Sequence, residues 1–460
     1  MSEKGEPMSR REFLRRGGAG LAGLALTGAA GSSAAQTRPP NLLFINVDQL
    51  HADALSTLGC THVRTPNLDR LAARGMTFTR SYSANPVCCP ARSSWFTGRA
   101  TCETGVVMNE WRIAEDMPDL GQWLGARGYE PIYAGKWHVT GRPLAKSFRV
   151  LTYGQLYGEL SDAMISRSGE AFLHSYDGDN PFFLCLGLFQ PHDCCYWVFE
   201  HAPPLGELPY PRIADDLPPL PANFDYDPAE PEFFAQVWRQ RRPFLEQWTE
   251  THWRYYLWSY YRMVEMMDAD VGRVLDALED SGHADDTLVI FSVDHGDGLA
   301  RHRMVSKMFL YDEAARVPLI VSWPGHVAEG VRDDTHLVSG LDLPATLTDY
   351  AGVEPLPKAR GRSLRPLLEQ KDPTWREFLV AEAHRLGRMI RTPEWKLIRY
   401  EGSPTEQLFD LRTDPGETHN LAQTARHAGV VRDLGARLAE WESRLEPLPL
   451  EGRDPRQRKR

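Results

Sequence analysis

From Asn41 onward the chain alternates short, nearly unbroken apolar runs with longer stretches in which apolar residues recur every three or four positions. Leu42-Leu43-Phe44-Ile45-Asn46-Val47 is a run of the first kind and predicts a buried strand. Similar runs at 129–134, 182–189, 288–293 and 319–323 predict further buried strands. Between them Leu257, Tyr260, Val264, Met267, Val271, Val274 and Leu278 form one apolar face of a long helix. Thr65-Pro66 reads as the capped start of a shorter helix running to Arg74, and Gly75 stands where a glycine closes one. Strands alternating with amphipathic helices predict an α/β fold, a large, mostly parallel sheet sandwiched by helices.

Two stretches break this rhythm. Residues 199–250 are rich in proline and aromatic residues with little periodicity, and predict a long surface excursion that walls a binding site. Near Pro373 the composition shifts towards a smaller α+β unit. There 389–391, 396–400 and 407–409 predict an antiparallel sheet, and Val431, Leu434, Leu438 and Trp441 a terminal helix. The expected organisation is a large domain over 40–372, a C-terminal subdomain over 373–445 and a basic, solvated tail over 446–460.

Composition adds limits. The chain of 460 residues carries a net charge of −10, which argues against nucleic acid as a partner because phosphate binding needs a basic surface. Ser9-Arg10-Arg11-Glu12-Phe13-Leu14, then a Gly/Ala/Leu stretch and small residues to Ala35, have the layout of a twin-arginine (Tat) export signal. Residues 1–35 are therefore expected to engage the Tat translocase, be cleaved, and leave the protein periplasmic or otherwise extracytoplasmic. The stretch is a poor permanent membrane anchor, and no stable anchor is expected. Seven cysteines allow disulfides in such a compartment without indicating their pairing, and no CxxC pair suggests a structural zinc site.

The chemistry-bearing residues fall just beyond the ends of the predicted strands. Asp48 and Gln49 follow the first; Lys136 and His138, His192, and Asp294 and His295 follow three others. Open α/β sheets collect their ligands at the carboxyl ends of strands, so this repeated placement points to one site.

Cys88-Cys89-Pro90-Ala91-Arg92, with Thr97-Gly98-Arg99 downstream, resembles the signature of the formylglycine-dependent sulfatases. Gly135-Lys136-Trp137-His138, Gln190-Pro191-His192, Asp294-His295-Gly296 with His302 and Lys307, and Leu408-Phe409-Asp410-Leu411 resemble further family segments, so the likeness spans almost everything after residue 40. It implies an alkaline phosphatase-like fold and a sulfuric ester hydrolase. A formylglycine-generating maturation enzyme would convert Cys88, whose hydrated aldehyde attacks sulfur to form a covalent sulfo-enzyme. By the same resemblance Asp48, Gln49, Asp294 and His295, together with the modified Cys88, would hold one divalent cation. Arg92, Lys136 and Lys307 would supply positive charge, His138 a base, His192 a donor to the leaving alcohol, and His302 a substrate contact.

Departures matter. Many relatives carry two acids where this chain has Asp48-Gln49, and often asparagine where it has His295. Calcium is the first choice of cation, with magnesium, manganese and zinc as alternatives, since an amide and an imidazole lower the charge of the donor set. A similar set occurs in phosphonate monoester hydrolase and choline sulfatase-type relatives, so phosphonate monoester or phosphodiester hydrolysis is the alternative activity. A third reading is an inactive protein that binds anionic glycans. A sulfated carbohydrate is the expected substrate, with Trp197, Trp238, Trp248 or Trp253 able to stack on a ring. Cys194-Cys195 leaves open a vicinal disulfide, ordinary packing or a pocket lining.

Overall fold

The structure, a computed structural model, describes residues 38–154, 157–198, 211–225, 230–237 and 242–450. The expected export signal, Trp238 and the last ten residues of the expected tail lie outside them. Residues from Pro39 onward group as one compact unit.

The strands of the main sheet are β1 (Asn41–Asp48), β2 (Met76–Phe78), β4 (Glu130–Gly135), β5 (Arg149–Tyr153), β6 (Phe182–Pro191), β7 (Thr287–Val293), β8 (Leu319–Ser322) and β9 (Val331–Asp333). They lie in the order β5-β4-β6-β1-β7-β8-β2-β9. A two-stranded ribbon pairs β3 (Ser81–Tyr82) with β10 (Val338–Ser339). The five strands from β5 to β7 are parallel, and β8 runs antiparallel to both of its neighbours. Leu43, Ile45 and Val47 point into a core shared with the helices Gly158–Ser175 and Glu250–Asp280. Leu42 and Phe44 point the other way, against Trp95, Phe96, Leu343 and Leu347. Side chains alternate along a strand, so a sheet covered on both faces needs apolar residues at nearly every position.

The shorter helix spans Pro66–Ala73, and Thr65 does not cap it through its side chain. Thr65 is engaged with Ser56 instead, and the cap comes from another element. Asp268, buried on the long helix, accepts the Leu68 amide at 2.9 Å and the Asn67 side-chain amide at 2.9 Å. Replacing Asp268 with alanine is expected to cost about 0.5–2 kcal/mol, the range of a lost helix cap. A denaturant midpoint unchanged in that variant would remove the assignment.

The C-terminal sheet is a meander of β11 (Leu379–Ala383), β12 (Gly387–Arg391), β13 (Trp395–Tyr400) and β14 (Gln407–Asp410), all antiparallel. One face packs Val380, Ile390, Leu397 and Leu408 against Leu434 and Leu438 of the terminal helix Ala428–Ser443. The other face joins the main core through Met389, Ile398, Tyr400 and Phe409. Lys396 of β13, fully buried, bonds Asp312 at 2.5 Å and Glu417 at 2.7 Å and so ties this sheet to the body.

Two expectations are corrected. The described part of the 199–250 excursion is not confined to the surface: Phe233 stacks on Tyr400 and Phe234 on Tyr311, both deep in the core. The start of the expected tail is pinned, because the Leu448 amide bonds the Cys102 carbonyl at 2.9 Å.

Candidate active site

Because β4, β6, β1 and β7 are parallel neighbours, their carboxyl ends share one edge of the sheet, and the polar residues that follow them meet there. Asp48 ends β1, and Gln49 turns away at φ 64°, a left-handed conformation that costs a non-glycine residue energy. Gly135 ends β4 at φ 98°, with room for no side chain, since a Cβ there would sit 2.2 Å from the Gly187 carbonyl. That close approach places Lys136 against β6.

Cys88 is the first residue of the helix Cys88–Thr97, and the Asn109 side chain accepts the Cys89 amide at 3.0 Å. The thiol faces His295 Nε2 at 3.1 Å and Asp48 Oδ1 at 3.7 Å. Burial pushes the Cys88 thiol up to about 11, so it is neutral as it stands. One turn along the helix, Arg92 is fully buried and donates to Asp294 Oδ2 at 2.9 Å, Asn46 Oδ1 at 2.8 Å and the Lys136 carbonyl at 2.8 Å. Lys136 pairs with Asp48, and Lys307 with Gln49 Oε1 and the Cys88 thiol. Burial brings Lys136 down to about 7, with Lys307 adding to the effect and Asp294 opposing it. Burial also opposes the charge on Lys307, but Cys88, Cys195 and Asp294 outweigh it and raise its pKa.

The donor set suits a cation. Asp48, Cys88, Asp294 and His295 place one ligand atom each within 4.8 Å of one another. His295 Nδ1 lies 2.9 Å from the Gly296 carbonyl, which fixes its proton there and leaves the Nε2 lone pair facing outward. That lone pair lies 3.5 Å from Oδ1 of both Asp48 and Asp294, an arrangement of electron pairs that an ion between them would satisfy. Burial holds His295 neutral, down to about 3.

His138, at φ 50°, and His192 are each partly exposed, and each has a buried Nδ1 with no partner among the described residues. Burial, then the Lys136 and Lys307 charges, hold both imidazoles well below their usual pKa. The His192 loop is held by reciprocal bonds. Asp162 accepts the Phe189 and Gln190 amides, each at 2.8 Å, and Asp193 accepts those of Gly158 and Glu159, each at 2.9 Å.

Cys88, Arg92, Lys136, Lys307, Asp48, Gln49, Asp294 and His295 thus form one connected cluster. His302 is placed elsewhere: its ring is buried and stacked on Tyr311 at 4.3 Å, beside Asn223 and Glu313, which is a packing role rather than a substrate contact. Trp197 and Trp253 are also buried in aromatic packing, leaving Trp248, half-buried, as the candidate stacking residue among the described ones. Cys194 and Cys195 are unpaired thiols, as are the other five cysteines, and both sulfurs approach Gln49 Nε2, at 3.3 and 3.1 Å. Asn46 and Asp297 escape the sequence reading. Asp297 stands in the same segment as Asp294 and His295, which is the signal that could have found it.

Comparison with known proteins places this geometry. The sulfatase family model matches residues 40–353, and a model described as N-sulphoglucosamine sulphohydrolase, C-terminal, matches residues 300–444. The chain is 31% identical over 451 residues to a Delta 4,5-hexuronate-2-O-sulfatase of Bacteroides thetaiotaomicron, covering 92% of each. A solved 2-O GAG sulfatase superposes with a TM-score of 0.80 at 29% identity, over 88% of this chain and 92% of that one. A phosphonate monoester hydrolase of Agrobacterium radiobacter shares the fold, with a TM-score of 0.75 at 24% identity, over 88% and 95% of the two chains.

Proposed function

Since the chain belongs to the sulfatase family and is a hydrolase of sulfuric ester bonds, we propose that its substrate is a sulfated carbohydrate and its nucleophile is formylglycine made from Cys88. The observation that carries this reading is the convergence on the Cys88 side chain of two carboxylates, an imidazole and three cationic groups. The Cys88 sulfur stands where the oxygens of the modified residue would be. When formed, that residue would supply a hydrated aldehyde, one hydroxyl to attack sulfur and a second to expel sulfate. Asp48, Gln49 Oε1, Asp294 and His295 Nε2 would hold one divalent cation, calcium first, to draw charge from the sulfate oxygens. Lys136, paired with Asp48, and Lys307, paired with Gln49 and Cys88, would neutralise the other oxygens.

His138, held neutral, is a base for the second hydroxyl. His192 is the donor to the leaving oxygen, where bound sulfate would offset the two lysine charges that hold its pKa down. A His192→Ala variant is expected to lose about 100- to 10,000-fold in turnover of an alkyl or sugar sulfate. It should lose far less on an aryl sulfate whose leaving group needs no proton. Equal losses on both would take the donor role from His192.

The relation to a hexuronate-2-O-sulfatase makes a 2-O-sulfated hexuronate the first substrate to try. The second reading, phosphonate monoester or phosphodiester hydrolysis, draws support from Gln49 and His295 in the cation cluster. One experiment addresses both. Protein from its own host is examined by peptide mass spectrometry across Cys88, then assayed on 2-O-sulfated hexuronates, other sugar sulfates, choline sulfate, a phosphonate monoester and a phosphodiester. A modified residue 88 and a preference for a sugar sulfate are expected. An intact thiol in active protein, or faster phosphodiester turnover, would overturn the proposal.

We also propose Tat export, on the strength of Arg10 and Arg11. Cell fractionation should find the Arg10→Lys/Arg11→Lys chain retained in the cytoplasm, and unchanged export would refute the signal.

A further inference from the structure

Gln49 reaches the cluster with an amide whose two ends differ chemically, and something must decide which end faces the ion. Its Nε2 donates to Asp297 Oδ2 at 2.7 Å and lies 3.1 Å and 3.3 Å from the sulfurs of Cys195 and Cys194. Its Oε1 is bonded by Lys307, which also touches Cys88, so the oxygen is the end turned into the site. The Cys195 thiol also lies 3.3 Å from that oxygen.

Asp297 is fully buried, and the described structure sets no basic side chain against it. Its Oδ1 accepts the Tyr256 hydroxyl at 2.5 Å and the Leu299 amide at 2.7 Å. Its Oδ2 accepts the Ser306 amide at 2.8 Å in addition to Gln49. The Cys194 thiol approaches the same oxygen at 3.7 Å. An acceptor-only group saturated by donors can meet the Gln49 amide only through its NH₂ end. Gly296, next to it, admits no side chain, since a Cβ would lie 2.0 Å from the Glu313 carbonyl, so the backbone that aims Asp297 is fixed as well.

We propose that Asp297 is a positioning residue that sets the orientation of the Gln49 amide and thereby makes Gln49 an oxygen donor to the divalent cation. This rests on the cation site proposed above and extends it beyond the groups that touch the ion. In Asp297→Leu the Gln49 NH₂ would lose its acceptor, and nothing would hold the Gln49 oxygen turned into the site. In Gln49→Glu/Asp297→Asn the donor and acceptor are exchanged: the introduced asparagine donates to one oxygen of the introduced glutamate, and the other oxygen still faces the ion.

The test is calcium affinity, measured by calorimetry on the modified protein, with the unfolding midpoint recorded for every chain. Asp297→Leu is expected to weaken calcium binding about 10- to 100-fold, the usual effect of removing a group that orients a metal ligand. The exchanged chain, Gln49→Glu/Asp297→Asn, should recover most of that loss. Both variants lack the bond to the Ser306 amide, and Gln49→Glu alone carries the same added charge beside Asp297, so a merely structural role for Asp297 would leave the exchanged chain no tighter than Gln49→Glu. An unaltered affinity in Asp297→Leu, or an exchanged chain that binds no tighter than Gln49→Glu, overturns the proposal. Should Asp297→Leu fail to fold, the exchanged chain is set against Gln49→Glu: tighter binding supports the assignment, and equal or weaker binding in a folded chain overturns it. Absence of calcium binding by the unaltered protein is a separate result, which removes the calcium site itself and this proposal with it.

Discussion

Replacing Cys88 with alanine is expected to abolish turnover, by about ten-thousandfold or more, while leaving the fold and cation binding in place. The size follows from what the side chain alone supplies. Asp48, Asp294, His295, Arg92 and the two lysines can bind and polarise a sulfate, yet none of them can attack it once they are engaged with one another and with an ion. The fold is spared because the groups the thiol touches keep other partners when it is removed: Lys307 keeps Gln49, Asp48 keeps Lys136, and His295 keeps the Gly296 carbonyl. Alanine at the first position of a helix costs little, since the first amides of a helix lack intrahelical partners in any case. Steady-state assays with a sugar sulfate and calorimetric titration with calcium check the two halves separately. Turnover within tenfold of the unaltered enzyme would mean that residue 88 is not the nucleophile.

Much of this site was legible because its residues are tied to strand ends, and buried strands announce themselves as apolar runs. Asp48 and Asp294 follow such a run directly and Lys136 and His192 within three residues, so their meeting needs only a parallel sheet. What escaped was decided by contacts across distant segments. Strand β11 was missed because Glu382 interrupts its apolar pattern; the carboxylate is buried and bonded to the Thr101 hydroxyl at 2.7 Å and to Arg388 at 3.0 Å. The cap of the helix Pro66–Ala73 was assigned to Thr65, its neighbour in sequence, whereas Asp268 supplies it from 200 residues away. His302 sits in a segment rich in functional residues, and only the stacked Tyr311 ring reveals it as packing. Trp197 and Trp253 read equally well as sugar platforms or as core until burial separates them from Trp248.

Arg92→Met should destabilise the fold by about 3–5 kcal/mol, the cost of removing one partner of a buried ion pair. That is a large share of a stability of about 5–15 kcal/mol, so much of the variant should be unfolded or aggregated when made. Methionine fills most of the volume, and the loss is therefore electrostatic. Asp294 would keep its charge with its closest cation gone, and the Asn46 oxygen and Lys136 carbonyl would each lose a donor in a region without water access. Burial already opposes ionisation of Asp294, and His295, Arg92, Lys136 and Lys307 together hold its pKa below the carboxylate range. Arg92→Lys should fall between, because one ammonium can replace the bond to Asp294 but cannot span the acceptors that the guanidinium fork reaches. The fork also has a spare arm. Nη2 lies 4.0 Å from Asp48 Oδ2 and has no hydrogen-bond partner among the described residues, which leaves it as the donor for an oxygen on the modified residue 88 or on the sulfate. The lysine variant should therefore lose turnover out of proportion to its loss of stability. Urea unfolding midpoints and kcat measured on the same preparations separate these effects, and a methionine variant as stable as the unaltered protein would show that Arg92 is not what holds the two carboxylates in the core.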